Sequence, residues 1–180
     1  MQQSLDTIIS ACKRNDRKAQ KAIYETYANR MLAICMRYVK SRQDAEDVLQ
    51  EGFLKIFDQI NTFRNEGSFE GWMKRIFVGL AIDNFRKNKN IDLNDSLENV
   101  DFQNDENIYS KFSAQEIINS IAELPDGFRM IFNLYAIEGF THKEIAEKLS
   151  ISEGTSKSQF ARAKMKLISL LKDKNIYAHG

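Results

Sequence analysis

Apolar side chains recur along this chain about every 3.6 residues and almost nowhere in strict alternation, which restricts the fold to packed helices. The clearest stretch, residues 19–39, carries Ile23, Tyr27, Met31, Ile34, Cys35 and Tyr38 on one stripe and predicts a long amphipathic helix. Pro125 is the single proline in 180 residues and glycines number eight, so little in the chain breaks helices. With 43% hydrophobic and 28% charged residues, the expected fold class is all-α.

Turn-forming residues divide the chain. Residues 61–68 (Asn-Thr-Phe-Arg-Asn-Glu-Gly-Ser) read as a loop. They lead into a helix over 69–89, with Trp72, Ile76, Leu80 and Phe85 expected inward and Lys74, Arg75, Arg86, Lys87 and Lys89 forming a basic surface. Residues 1–90 are therefore expected to form one helical domain. Residues 91–112 fit no periodic template, and 91–107 hold six acids and no Lys or Arg, so this stretch reads as a flexible acidic linker. A second domain, 113–180, opens on Ser113 and Glu116, a capping box. A helix over 127–138 should follow Pro125 and stop at Gly139.

Thr141 and Glu144 form another capping box before a short helix over 143–149, and Ser152 is placed to cap a longer one over 153–171. This is the pattern of a helix-turn-helix, whose second helix enters the DNA major groove. Ile168 and Leu171, with Phe160 and Leu167, are its expected packing residues; Lys157, Ser158, Arg162, Lys164 and Lys166 are its exposed polar face. The net charge is only +1, so DNA affinity must come from local patches. One such patch is residues 153–174, with six Lys or Arg against Glu153 and Asp173. A helical hairpin that merely packs a small bundle would share the spacing.

Cys12 and Cys35 are too distant for a Cys-x-x-Cys site, and with His142 and His179 they show no ligand spacing, so neither metal nor cofactor is expected. Cys35 lies on an apolar face as a buried free thiol, which suits a reducing cytoplasm. No leader pattern and no run of 18 apolar residues is found; a cytoplasmic protein not embedded in the membrane is expected.

Residues 44–57, Asp-Ala-Glu-Asp-Val-Leu-Gln-Glu-Gly-Phe-Leu-Lys-Ile-Phe, narrow the function furthest. As a helix capped by Ser41, they turn Ala45, Val48, Leu49 and Ile56 inward and align Asp44, Asp47 and Glu51 in an acidic stripe. Physics alone also allows an ordinary solvated face. The segment, however, closely resembles the polymerase-binding helix of bacterial sigma factors, in particular the extracytoplasmic-function (ECF) branch of the sigma-70 superfamily. Members carry Asp-Ala-Glu-Asp, then Gln-Glu, then Phe-Leu-Lys, here Asp44 to Asp47, Gln50 and Glu51, and Phe53 to Lys55. A second match joins it: Trp72, Arg75, Ile76, Ala81, Ile82, Asp83 and Arg86 stand where these factors have Trp-Leu-x-Arg-Ile and Ala-Ile-Asp-x-x-Arg. The likeness covers residues 20–88 and 114–170.

That resemblance implies two domains, a region 2 bundle and a region 4 helix-turn-helix, in a protein that directs core RNA polymerase to promoters and is not itself an enzyme. It implies docking of Asp44, Asp47, Gln50, Glu51, Phe53 and Leu54 on the β′ coiled coil. It implies contact of Phe63, Arg64, Phe69, Lys74, Asp83, Arg86 and Lys87 with the minus-ten element, which the family holds with one base extruded and the strands separated. Phe63 and Phe69 are the rings expected to stack on or wedge beside bases, although burial of Phe69 and Trp72 in the core would read the same. It further implies contact of Thr155, Lys157, Ser158, Arg162 and Lys166 with the minus-thirty-five element, and a membrane-anchored anti-sigma factor as a partner.

Two departures stand out. Gly79 replaces a frequent Asn in the promoter-facing helix, and Ser156-Lys157-Ser158-Gln159 replaces Val-Lys-Ser-Arg, so sequence preference is expected to differ. The helix-turn-helix also resembles the output domain of response regulators, whose receiver would need strands in the N-terminal half. A one-component regulator and a polymerase-binding helical protein that does not touch promoters are the competing classes.

Overall fold

The computed structural model describes residues 4–87 and 112–178. Among these it contains eight α-helices and no strand, so the all-α expectation holds. The chain divides into two compact units, Met1–Asn84 and Phe85–Gly180, the division falling in the last turn of the fourth helix. The acidic stretch 91–107, Lys89 and His179 lie outside the described residues.

In the N-terminal unit, α1 (Leu5–Cys12), α2 (Arg17–Cys35), α3 (Arg42–Gln59) and α4 (Phe69–Lys87) follow one another, with a 3-10 turn at Ile60–Thr62. Side-chain oxygens start the first three: Ser4 accepts from Thr7 N, Asp16 from Lys18 and Ala19 N, and Ser41 from Asp44 N. Asp16's carboxyl is held below its ordinary range by those two amides. The helix expected over 19–39 starts two residues early, at the Asp16 cap, and ends at Cys35. The helix α1 had no counterpart in the sequence reading; it buries Ile9 and Cys12 on α2.

The inner face of α4 differs from expectation. Phe69, Met73, Phe77, Leu80 and Ala81 are buried with Val78 and Ile82, whereas Trp72, Ile76 and Phe85 are only half-buried. Both stripes are apolar and both repeat at four residues, so periodicity could not choose between them. Packing on α3 does: Phe77 lies edge-on to Phe53, ring centroids 5.7 Å apart. A Cβ on Gly52 would stand 2.0 Å from the Phe77 ring, so α3 must be glycine where Phe77 crosses it.

The C-terminal unit comprises α5 (Ala114–Ala122), α6 (Asp126–Phe132), α7 (His142–Leu149) and α8 (Glu153–Ala178). Ile121, Leu124, Phe128, Phe132, Ala163, Leu167 and Leu171 form one cluster with α8 at its centre. Leu167 and Leu171 are buried as expected, while Phe160 and Ile168 are half-buried. The helix expected over 127–138 is instead α6 followed by a π turn at Asn133–Ile137, closed by Glu138 N donating to Asn133 O at 2.9 Å. At Gly139 φ reaches +77°, the left-handed stop glycine supplies at no steric cost. The helix α8 runs seven residues past the expected end at 171, where Lys174 reaches Ser120 Oγ at 3.0 Å and Glu123 at 2.7 Å on α5.

Candidate nucleic-acid and protein interfaces

Helix α3 buries Ala45, Val48, Leu49, Gly52, Phe53 and Ile56, which leaves Asp44, Asp47, Gln50 and Glu51 exposed along the opposite face. Leu54, 72% exposed, extends that face. Arg42 pairs with Glu46 at 2.8 Å, but Asp47 and Glu51 have no cation partner among the described residues. An acidic stripe with an exposed leucine beside it suits a basic protein surface better than DNA. Phe53 is a correction: only 3% exposed, it packs on Tyr24 at 4.8 Å and on Phe77, so it shapes α3 rather than touching a partner.

Between the 3-10 turn and α4 lies a cavity of about 200 Å³, lined by Thr62, Phe63, Arg64, Glu66, Gly67, Ser68, Gly71, Trp72 and Arg75. The sequence makes it. Asn65 at φ +56° and Gly67 at φ +115° fold the loop back, and Ser68 Oγ accepts from Gly71 N at 3.0 Å to start α4. Arg30 on α2 grips Glu70 at 2.8 Å. Beneath the cavity Phe63, Phe69 and Trp72 contact one another, with centroids 5.1 to 5.6 Å apart.

Here the expectation for the aromatics is corrected. Phe63 and Phe69 are 6% and 3% exposed, so they cannot stack on a base without leaving the core. Of the two rings that line the cavity, Phe63 and Trp72, only Trp72 is half-buried rather than buried. Arg64 is exposed at the rim with Arg75, while Asp83, Arg86 and Lys87 are exposed and Lys74 half-buried farther along α4. Sequence reasoning marked the loop by its turn formers but did not assign Thr62, Glu66, Ser68 or Gly71 to a site. Only their convergence in three dimensions reveals it.

In the C-terminal unit, Thr141 Oγ1 accepts from Glu144 N, and the Glu144 carboxylate accepts from Thr141 N at 2.8 Å. That bond and the Thr141 hydroxyl hold Glu144 below the usual carboxylate range. Ser150 in the left-handed region turns the chain, and Ser152 Oγ accepts from Thr155 N at 2.9 Å to open α8. Lys157 and Ser158 are exposed; Thr155, Arg162 and Lys166 are half-buried. Lys157 pairs with Glu153 at 2.7 Å, which leaves further N–H donors of its ammonium for solvent or a ligand. Ser156 and Gln159, two residues of the departure noted above, are 0% and 2% exposed. The two residues that differ from the family pattern thus stand in the interior, beneath Lys157 and Ser158, which match it and are exposed.

Ser156 Oγ lies 3.0 Å from His142 Nδ1, joining the first turn of α7 to that of α8. His142 stacks on Tyr135, centroids 4.3 Å apart, and Tyr135 meets Phe160 at 4.4 Å. Burial, then the neighbouring Lys157 charge, pushes the imidazole pKa below its ordinary value. Nothing in the sequence singled out this histidine beyond its failure to find metal-ligand spacing. Among the described residues no group of three or more His, Cys, Asp or Glu could hold a metal ion. The two cysteines are buried free thiols whose burial raises their pKa to about 11 at Cys12 and about 12 at Cys35.

Residues 23–91, spanning α3, the cavity and α4, match the Sigma-70 region 2 family, and residues 114–167 match Sigma-70, region 4. The ECF RNA polymerase sigma-E factor of Haemophilus influenzae is 28% identical over 171 residues, covering 87% of this chain and 89% of the relative. That of Escherichia coli K12 is likewise 28% identical over 171 residues, covering 87% and 88%. The chain is an ECF sigma factor of the sigma-70 family. Two solved structures share low identity with this sigma factor. CnrH in complex with the cytosolic domain of CnrY has 19% identity and a TM-score of 0.49 over 94% of this chain and 99% of CnrH. The sigma factor RpoE in complex with the anti-sigma factor NepR from Bartonella quintana has 22% and 0.49 over 84% and 96%. As a sigma factor the chain directs RNA polymerase to promoters; the cavity falls within its region 2 and the helix-turn-helix within its region 4. Helix α1 precedes the region 2 match. No helix among the described residues is long and apolar enough to cross a membrane.

Proposed function

We propose that this sigma factor divides promoter recognition among three surfaces. Asp44, Asp47, Gln50, Glu51 and Leu54 on α3 dock on a basic coiled coil of core polymerase. The cavity between residues 62 and 75 receives one base extruded from the minus-ten element, with Trp72 alongside it and Arg64 and Arg75 meeting the flanking phosphates. Asp83, Arg86, Lys87 and Lys74 continue that track along α4. In region 4, Lys157 and Lys166 meet phosphate while Thr155, Ser158 and Arg162 face the minus-thirty-five groove. The supporting observation is the cavity itself: about 200 Å³, walled by the chain's only tryptophan, and with two arginines at its rim.

The reading includes work in the cytoplasm and an anti-sigma factor as the partner that withholds these surfaces, as family membership implies. It also routes the acidic stretch 91–107 through a basic channel of the polymerase, since six carboxylates would otherwise repel the promoter. Reconstitution with core polymerase on duplexes randomised across both elements tests the assignment. Transcripts should come from a subset sharing two spaced elements, and Arg75→Ala should impair opening while leaving minus-thirty-five selection intact. Normal opening by Arg75→Ala and by Trp72→Ala together would reject the cavity as the base site.

A further inference from the structure

Helix α1 lies outside the region 2 match, yet the residue that caps its C-terminus, Lys13, reaches a residue of the cavity wall. Lys13 Nζ donates to the main-chain oxygen of Phe63 at 2.9 Å, a partly buried contact across 50 positions of sequence. We propose that Lys13 is a positioning residue for the minus-ten pocket, fixing the first residue of the loop that walls it. The inference rests on the reading of this cavity as the base-holding site.

Three observations carry it. The lysine is held from both sides, since Ile9 and Cys12 are buried against α2 and the turn after it is closed by Asn15 N to Cys12 O at 2.8 Å and Asp16 N to Ala11 O at 3.2 Å. Phe63 is fixed through its amide, which donates to Ile60 O at 3.2 Å, and through its ring against Phe69 and Trp72, so the Lys13 bond adds an anchor on its third side. Residues 64–67, by contrast, are exposed and include both positive-φ positions of the loop, so their course depends on where Phe63 starts them. The cavity lining carries Phe63 itself with Arg64, Glu66 and Arg75, so a shift of Phe63 moves the wall.

The test compares full-length wild type, Lys13→Met and Lys13→Arg by amide exchange and by Trp72 fluorescence, which reports the cavity because no other tryptophan is present. Lys13→Met should speed exchange at residues 63–68, leave α2, α3 and the C-terminal unit unchanged, and bind single-stranded dA, dC, dG or dT octamers about fivefold more weakly by quenching of Trp72. Lys13→Arg, which keeps a donor, should restore exchange and bring binding to within about twofold of wild type. Unchanged exchange at 63–68 in Lys13→Met overturns the proposal, as does failure of Lys13→Arg to rescue. Faster exchange throughout α1 to α4 would mean general loss of structure and equally overturns a local role. Wild type that no octamer quenches, combined with locally faster exchange in Lys13→Met, would keep the anchor and reject the base-site reading instead.

Discussion

The N-terminal unit fills its interior with Met31, Phe53, Ile56, Met73 and Phe77, whereas every buried polar or charged residue among the described ones, tyrosine and cysteine apart, lies in the C-terminal unit. These are Ser120, Arg129, Asn133, Ser156 and Gln159. An apolar interior is held by area and shape, so its weak points are steric. An interior containing a guanidinium and hydroxyls is held by directional bonds, so its weak points are lost partners and protons. The difference suits what each unit does. Region 2 holds the aromatic side chains beside its cavity in place by packing, and region 4 fixes the short α7 against the long α8 through the bond of His142 to Ser156.

The comparison breaks most readily at Arg129. Its guanidinium, 1% exposed, donates to Ala122 O at 3.0 Å, to Leu124 O at 3.3 Å and to Asp126 at 2.8 Å, so it satisfies the carbonyls at the end of α5. Arg129→Met should cost the C-terminal unit about 3 kcal/mol, because those oxygens and Asp126 would be left without their partner. Amide exchange in α6 and α8 would show it, with α2 and α3 unaffected. A comparable loss in both units would mean that they do not unfold independently.

A smaller loss, about 2 kcal/mol, is expected from Gly52→Ala in the N-terminal unit, since the new methyl meets a fully buried ring. Trp72 fluorescence in denaturant would follow it. Phe77→Leu should recover part of the stability in the double variant, and failure to recover any would point to backbone preference rather than crowding.

Proton dependence should be the smallest effect and should again separate the halves. His142 is depressed in the folded state, so its contribution is complete above its ordinary value and is lost as pH falls through that value toward the folded one. Between about pH 7.5 and 5.5, below which carboxylates begin to contribute, α7 should lose exchange protection and the N-terminal unit should not. His142→Gln should flatten the slope. A slope that survives the substitution would move the proton elsewhere.

Much of this was legible in the sequence because the signals were local. Ser41, Ser113, Thr141 and Ser152 each bond the amide three residues on, and such caps need no tertiary information. The buried face of α3 was equally plain, since its other side is acidic. On α4 two apolar stripes compete, and contact with Gly52 and Phe53 decides the register. Arg129 reads as a surface residue until the end of α5 is placed over it. The cavity joins residues from two sides of a turn, so no periodicity could announce it, and Phe63 and Phe69 looked like base-stacking rings because a core aromatic beside a loop has the same composition.

If the acidic face of α3 is where this sigma factor meets polymerase, reversing its charge must weaken the complex. The most direct measurement is a titration of core polymerase with the full chain carrying Asp47→Lys and Glu51→Lys, beside circular dichroism of the same sample. Both residues are exposed and unpaired among the described residues, so helicity should be unchanged. Affinity should fall at least about tenfold, because two attractive contacts become repulsive. Unchanged affinity with intact helicity would contradict the claim.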